Sequence, residues 1–192
     1  GAVGSMGGED LVLYAIDSNR KVVNSFSGNK CASGTGEFFK QQLGRMDLGL
    51  DEVPAVGAES SVKKLSCRCS VFMKSDCTHK LNKSEATKGD IVVSLSDVMA
   101  NKVVDFLKRA RVTSGRVLLA GGVTQNPFII KFIRERFPDV SFVVPDQAAY
   151  FEAYGAALLA KKHGSILPPV HKILKPDRIE FERYKNLAGA EA

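Results

Sequence analysis

Short apolar runs in this chain have the length and composition of β-strands. A polar turn at residues 18–21 separates the first two runs, which therefore predict a β-hairpin. The pair Gly7-Gly8 comes just before the first run and is expected to form a tight turn at the mouth of this hairpin. The runs lie at residues 11–17, 22–27, 116–120 and 140–144.

Other stretches carry apolar residues at three- and four-residue steps, which is the spacing of an amphipathic helix. Residues suited to capping precede them, and Pro127 at a first helical position strengthens one of these starts. A further helix over residues 148–162 contains Gly155, Ala156 and Ala157, which predict close packing on a sheet. The predicted caps are Thr35, Cys69 or Ser70, Asp90 and Asn126, and the predicted core residues of the first helix are Phe38, Phe39, Gln42, Leu43 and Met46.

The order of these elements is hairpin, helix, insertion, helix, strand, helix, strand and helix, which predicts an α/β fold built in layers around a mixed sheet. Glycine pairs, Gly7-Gly8 and Gly121-Gly122, sit at strand ends, where backbone amides suit contacts to a phosphate or a nucleotide. The sequence contains neither G-x-G-x-x-G nor G-x-x-x-x-G-K-[ST], so a dinucleotide fold and a P-loop ATPase are both disfavoured.

Composition is that of a globular protein, with 44% hydrophobic and 25% charged residues among 192. The net charge is a modest +6, the basic residues are scattered along the sequence, and Trp is lacking. A nucleic-acid partner is therefore not favoured. No apolar run approaches the length that crosses a bilayer, and we expect no membrane association. Four cysteines near glycine-rich turns favour metal or redox chemistry over disulfides.

The stretch at residues 29–39 joins a cysteine to glycines and a predicted helix start. Gly34 and Gly36 permit close backbone approaches, and the amides of the following turn would point at an anion. A thiol at such a place loses its proton more easily than usual. Cys31 therefore offers a thiolate beside an anion cradle, while the alternative is a structural glycine turn beside a buried cysteine.

A second group of cysteines surrounds the next predicted helix start. Cys69 there would match Cys31, and two thiolates at helix N-termini suit an iron–sulfur cluster because the helix dipoles favour its negative charge. Cys67, Cys69, Cys77 and His79 also supply four ligands for tetrahedral zinc, although the Cys-x-Cys spacing is tighter than usual. Buried or idle thiols are the third interpretation.

Five segments of the chain, taken in this order, resemble the BadF/BadG/BcrA/BcrD ATPases. That family includes the activators of 2-hydroxyacyl-CoA dehydratases and the ATPase subunits of benzoyl-CoA reductases. The resemblance extends from about residue 7 to residue 164, and the paired cysteine motifs make it specific. The segments are residues 7–9, 30–36, 69–76, 120–126 and 153–160.

The resemblance implies an actin-like, Hsp70-like ATPase fold of the ribonuclease H type, with two lobes and a nucleotide in the cleft between them. Residues 1–164 would be the carboxyl-terminal lobe with a cysteine-bearing helical insertion. Residues 165–192 would be a basic tail, with a helix expected near residues 180–187. The first phosphate loop of the family lies in an amino-terminal lobe, so a chain of this length alone is expected to bind nucleotide weakly or not at all and to be inactive.

The resemblance further implies an ATPase coupled to electron transfer in an anaerobic cytoplasm, serving an acyl-CoA dehydratase or reductase. In the family, two cysteines from each subunit of a homodimer hold one [4Fe–4S] cluster between them, and Cys31 and Cys69 match those cysteines. Gly7-Gly8 matches the second phosphate turn, and Gly121 to Val123 matches the adenosine turn. The residues expected to bind ATP or ADP with Mg²⁺ are Gly7, Gly8, Glu9, Gly34, Thr35, Gly36, Glu37, Gly121, Gly122, Val123, Gln125 and Asn126. No catalytic residue is assigned.

The chain departs from the family pattern at Ser5, where an acidic residue usually stands two positions before the glycine pair. Metal and phosphate handling at this turn would then rely on Glu9 or Asp10. Cys67 and Cys77 are extra relative to the motif.

Two other functions stay open. A small-molecule kinase of the same superfamily would want a carboxylate base near the cleft but would need neither Cys31 nor Cys69. A zinc-stabilised interaction module would use the second group of cysteines. Glu37 either faces a ribose or is a favourable first-turn carboxylate.

Overall fold

The computed structural model describes residues 1–27, 32–66, 69–164, 166 and 168–173. The strands are β1 Ala2–Met6, β2 Leu11–Ile16, β3 Val22–Ser27, β4 Gly115–Ala120 and β5 Val140–Val143. They form one mixed sheet in the order β3-β2-β1-β4-β5. Strands β1, β2 and β3 are antiparallel neighbours, whereas β1, β4 and β5 run parallel. The predicted hairpin and the later strands are confirmed.

Strand β1 occupies the centre of the sheet, and the sequence analysis did not predict it. Its residues are mostly small, and Gly1 just before it and Gly4 within it give it a weak strand signal. It forms because β2 pairs with it on one side and β4 on the other, with Ser5 opposite Val12 and Ala120. Gly7-Gly8 therefore joins β1 to β2 instead of merely preceding a hairpin.

Seven helices are described, and three of the four predicted caps, Thr35, Cys69 and Asn126, are N-caps in the structure. The helices are α1 Gly36–Arg45, α2 Val53–Gly57, α3 Ser70–Asn82, α4 Lys88–Arg109, α5 Pro127–Arg136, α6 Phe151–His163 and α7 Val170–Ile173. Short 3-10 turns cover Ala32–Gly34, Gly122–Gln125 and Ala148–Tyr150. The five side chains predicted to form the core face of α1 are all buried.

One predicted cap is wrong. Thr87, not Asp90, is the N-cap of α4, and its hydroxyl accepts a hydrogen bond from the Asp90 amide at 3.1 Å. The Asp90 carboxylate in turn accepts from the Thr87 amide at 3.0 Å, which completes a capping box. Both residue types suit a cap, and the reciprocal pair fixes the start one turn earlier than predicted.

The chain divides after Gly155, and residues 1–155 form the first compact unit. The first unit holds the sheet, helices α1 to α5 and one core in which the long helix α4 is buried along most of its length. A side chain at Gly155 would meet no atom within 4 Å, so the prediction of close packing at this glycine is wrong. The predicted helix near residues 180–187 lies outside the described residues. Within the described part of the chain, every helix is too short or too polar to cross a membrane.

Candidate functional site

The two glycine turns, far apart in sequence, lie side by side. Strands β1 and β4 are parallel neighbours, so the turns at Gly7-Gly8 and Gly121-Gly122 both follow carboxyl ends at one edge of the sheet. Gly121 has φ of +94°, and a Cβ there would collide with the carbonyl oxygen of Met6. The backbones of the two turns therefore touch, and only glycine fits this contact.

The start of helix α1 joins both turns. The amides of Gly36 and Glu37 donate hydrogen bonds to the carbonyl oxygens of Gly7 and Gly8, at 3.0 and 2.8 Å. A Cβ on Gly36 would lie 2.9 Å from Cγ2 of Val123. Three segments that the sequence analysis assigned to nucleotide binding therefore meet at one place, which we call the glycine edge.

Some backbone amides at the glycine edge already donate hydrogen bonds within the protein. The Gly7 amide donates to the carbonyl oxygen of Asp10 at 2.9 Å, and the Gly121 amide donates to that of Ala148 at 2.6 Å. These bonds fix the shape of each turn. Backbone contacts to a phosphate would therefore come from residues after Gly7 and after Gly121.

The predicted cap of α1 is confirmed, and the Thr35 hydroxyl accepts a hydrogen bond from the Phe38 amide at 3.3 Å. Glu37 is exposed in the first turn, where its carboxylate accepts from Nε2 of Gln41 at 3.2 Å. This arrangement is the one expected for a favourable first-turn carboxylate. A ribose contact of Glu37 stays a prediction.

Asn126 has a clear local role beside the second turn. Its side-chain oxygen accepts from the Phe128 amide at 3.0 Å, and its Nδ2 donates to the Ser96 hydroxyl at 2.9 Å. The predicted cap is thus confirmed, and the same side chain ties this turn to α4. A direct nucleotide contact of Asn126 stays a prediction.

Gln125 is exposed at the mouth of an open surface groove of about 520 Å³. The groove lies beside the second glycine turn and runs along α5. Its lining residues are Thr124, Gln125, Pro127, Ile130, Lys131, Arg134, Glu135 and Val144.

An acidic side chain reaches this region from a distant part of the chain. The buried Ser5 donates a hydrogen bond from its hydroxyl to Oε1 of Glu152, at 2.5 Å. Glu152 stands in the first turn of α6, 147 positions away in sequence, so no local spacing could have pointed to it. Glu9, which the sequence analysis considered for this acidic role, is exposed.

A lysine lies against the loop that leads into α1. The Lys102 ammonium group donates to the Ser33 hydroxyl at 2.6 Å, and Gly34 packs on the Lys102 side chain. This contact was not predicted because Lys102 lies on helix α4, 69 positions after Ser33 in the sequence. Cys31, two positions before Ser33, lies outside the described residues.

Cys69, one of the two residues predicted as this cap, is the N-cap of α3, and it is a half-buried free thiol. Cys77 on the same helix differs, because burial, followed by the nearby Asp76 charge, raises the pKa of its thiol to about 11. Cys77 therefore stays protonated at neutral pH. Among the described residues no three Cys, His, Asp or Glu side chains converge, and Cys67, the remaining member of the zinc alternative, lies outside them.

A model of the BadF/BadG/BcrA/BcrD ATPase family matches residues 1–160. The 2-hydroxyisocaproyl-CoA dehydratase activator of Clostridioides difficile is 28% identical over 156 residues, which are 81% of this chain and 58% of that protein. The (R)-2-hydroxyglutaryl-CoA dehydratase activating ATPase of Acidaminococcus fermentans is 28% identical over 158 residues, 82% of this chain and 59% of that protein. The chain thus spans about three-fifths of the length of these relatives.

The crystal structure of the Acidaminococcus fermentans (R)-2-hydroxyglutaryl-CoA dehydratase component A has a similar fold. It matches with a TM-score of 0.73 and 27% identity, over 86% of this chain and 62% of that one. The predicted actin-like ATPase fold, with its mixed sheet and flanking helices, is confirmed.

Proposed function

Because the chain belongs to the BadF/BadG/BcrA/BcrD ATPase family, we propose that it is the carboxyl-terminal lobe of an ATP-dependent activator of an acyl-CoA dehydratase or reductase. Relatives of known role are an activator of one such dehydratase and an activating ATPase of another. In this proposal residues 1–164 form the lobe, residues 165–192 form a basic tail, and the protein works in an anaerobic cytoplasm.

The observation that carries the proposal is the pair of backbone hydrogen bonds between α1 and the first glycine turn. The donors are the amides of Gly36 and Glu37, and the acceptors are the carbonyls of Gly7 and Gly8. A turn that would contact phosphates is thus bonded directly to the segment that follows Cys31. An activator needs such a connection, because nucleotide state has to change the geometry around its redox centre.

The proposed nucleotide is ATP or ADP with Mg²⁺, bound at the glycine edge. The turn after Gly7 faces the phosphates, and the turn from Gly121 to Val123 faces the adenosine. The close backbone contact at Gly121 keeps the two turns at a fixed separation, so both ends of one nucleotide can be bound together. The groove beside Gln125 offers space next to the adenosine turn.

Cys31 and Cys69 would hold a [4Fe–4S] cluster between two copies of the protein, and the cluster would supply one-electron transfer when bound. Of the two proposed ligands, the structure describes Cys69, and its position fits a cluster. Cys69 is a free thiol at a helix N-terminus, where the helix dipole favours the negative charge of a cluster. Cys77 does not fit, because it is buried in the hydrophobic core, where a cluster shared with a second copy could not reach it.

The surface next to Cys69 supports the proposed homodimer. Val71 and Phe72, in the first turn of α3, are 70% and 60% exposed. Two large apolar side chains beside a proposed interfacial cysteine are the kind of surface that a second copy would cover. Lys102, which contacts Ser33 in the loop after Cys31, places a positive charge near the same region.

The test is anaerobic iron–sulfur reconstitution of the full-length protein, with iron and sulfide counted per chain and the mass measured in solution. We expect about two irons per chain on a dimer, because four irons are shared by two copies. Cys31→Ser and Cys69→Ser should each abolish iron binding. Cys77→Ala is the matched control and should retain it, since Cys77 is a buried thiol outside the proposed ligand set.

Iron bound to a monomer, or iron that survives both serine substitutions, would contradict the shared cluster. An iron-free protein that still turns over ATP would favour the small-molecule kinase of the same superfamily. Zinc on a monomer would favour the interaction module.

A further inference from the structure

We propose that Glu152, held by Ser5, is the carboxylate that binds the Mg²⁺ ion of ATP at the glycine edge. This inference rests on the proposed function, because it assigns a residue to the same nucleotide site. It also explains how the chain can lack the acidic residue that the family usually has at position 5, since the carboxylate would come from helix α6 instead of strand β1.

The first support is the hydrogen bond itself. Ser5 is buried, and its hydroxyl donates to Oε1 of Glu152 at 2.5 Å. Glu152 is exposed overall, so its carboxylate reaches from a buried hydroxyl out to solvent. One oxygen is oriented by Ser5, and the carboxylate keeps further lone pairs for a cation or its water shell.

The second support is the position of the pair. Ser5 lies two residues before Gly7 and pairs with Ala120, the residue that precedes Gly121. The hydrogen bond from Ser5 therefore holds the Glu152 carboxylate next to the start of both glycine turns. An independent contact holds the segment leading to Glu152 at the same edge, because Ala148 accepts the hydrogen bond from the Gly121 amide at 2.6 Å.

The chemistry at this place suits Mg²⁺ with a nucleotide. Mg²⁺ in such sites is usually bound by one or two carboxylates, by phosphate oxygens and by waters that it keeps. A single oriented carboxylate beside a phosphate turn supplies the protein's share of that set. The competing explanation is that Glu152 only fastens the start of α6 to β1, in which case its charge toward a cation is irrelevant.

The experiment measures the affinity of the full-length protein for a fluorescent ATP analogue across a Mg²⁺ titration and in EDTA. Glu152→Gln keeps an oxygen that accepts from Ser5 but removes the charge. We expect this variant to need about ten- to a hundredfold more Mg²⁺ for half-maximal binding, with affinity in EDTA unchanged. Glu59→Gln, at an exposed site in another part of the chain, is the control and should match the unmodified protein.

A variant that moves the carboxylate from position 152 to position 5 distinguishes a role of the charge in Mg²⁺ binding from a role of Glu152 in holding α6 against β1. Ser5→Asp combined with Glu152→Gln returns a carboxylate to the end of β1, and it should restore the Mg²⁺ dependence that Glu152→Gln loses. If Glu152→Gln weakens binding equally in Mg²⁺ and EDTA, or if the relocated carboxylate restores nothing, the inference is overturned while the proposed function stands. If the unmodified full-length protein binds no nucleotide, both are overturned.

Discussion

The carboxylate of Asp90 accepts hydrogen bonds from the backbone amides of Ser61 and Thr87, at 2.8 and 3.0 Å. These bonds, in that order of effect, lower its pKa from the ordinary 3.8 to about 2. Because the folded pKa lies below the unfolded one, the carboxylate stabilises the fold at pH values above about 4. This contribution is lost as the pH falls from about 4 to about 2.

We expect Asp90→Asn to lower the free energy of unfolding by about 1–2 kcal/mol near neutral pH, because the amide keeps an accepting oxygen but loses the charge that strengthens these hydrogen bonds. The difference from the unmodified protein should shrink as the pH falls through the window from about 4 to about 2, since the Asp90 carboxyl then becomes protonated and is as uncharged as the amide that replaces it. Urea unfolding of both proteins at a series of pH values measures this difference in unfolding free energy. Asp105→Asn, exposed on the same helix, is the control, and a deficit of Asp90→Asn that is constant with pH would contradict the assignment.

Gly121 and Gly122 form a matched pair at the second turn. Gly121 has φ of +94° and no room for a Cβ beside Met6, whereas Gly122 has a negative φ and open space around it. Gly121→Ala should therefore cost about 1–3 kcal/mol of unfolding free energy. Gly122→Ala should change it by less than about 1 kcal/mol. Thermal or urea unfolding of both variants compares them, and equal costs would show that the contact with Met6 does not constrain the turn.

At the scale of elements, the connection between α1 and the first glycine turn can be cut without breaking the helix. Glu37 is the second residue of α1, where an amide has no partner within the helix and proline is tolerated. Glu37→Pro removes the amide that donates to the Gly8 carbonyl, while Glu37→Ala keeps it.

We therefore expect Glu37→Pro to reduce the effect of nucleotide on hydrogen exchange in α1, in the full-length protein with and without an ATP analogue. At a saturating concentration of the ATP analogue, Glu37→Ala should show the same effect as the unmodified protein, because it keeps this amide. If the alanine variant loses the effect equally, the side chain and not the backbone bond carries the coupling, and the observation that supports the proposed function no longer does.

Element starts were predictable where the signal is local. Thr35, Cys69 and Asn126 each precede an apolar periodic stretch, and each is the N-cap in the structure. Asp90 was misplaced because Thr87 and Asp90 form a reciprocal pair, and either residue type suits the cap.

At the scale of the whole molecule, what the sequence could not reveal depends on contacts between distant segments. Strand β1 has weak local preference and forms because β2 and β4 enclose it, and such pairing overrides propensity. The hydrogen bond from Ser5 to Glu152 spans 147 positions, so its two ends show no spacing pattern. The glycine pairs were predicted as nucleotide turns, but their adjacency follows from the parallel pairing of β1 and β4.

The bonds from Gly36 and Glu37 to the first glycine turn consist entirely of main-chain atoms. Such a connection depends on the path of the backbone and is indifferent to most side-chain replacements. Side-chain substitutions around it therefore leave these bonds intact, provided that glycine remains where the two backbones touch. In the proposed activator, such a connection would allow the surface to change to fit different partner enzymes, while the backbone contact between the first glycine turn and α1 stays the same.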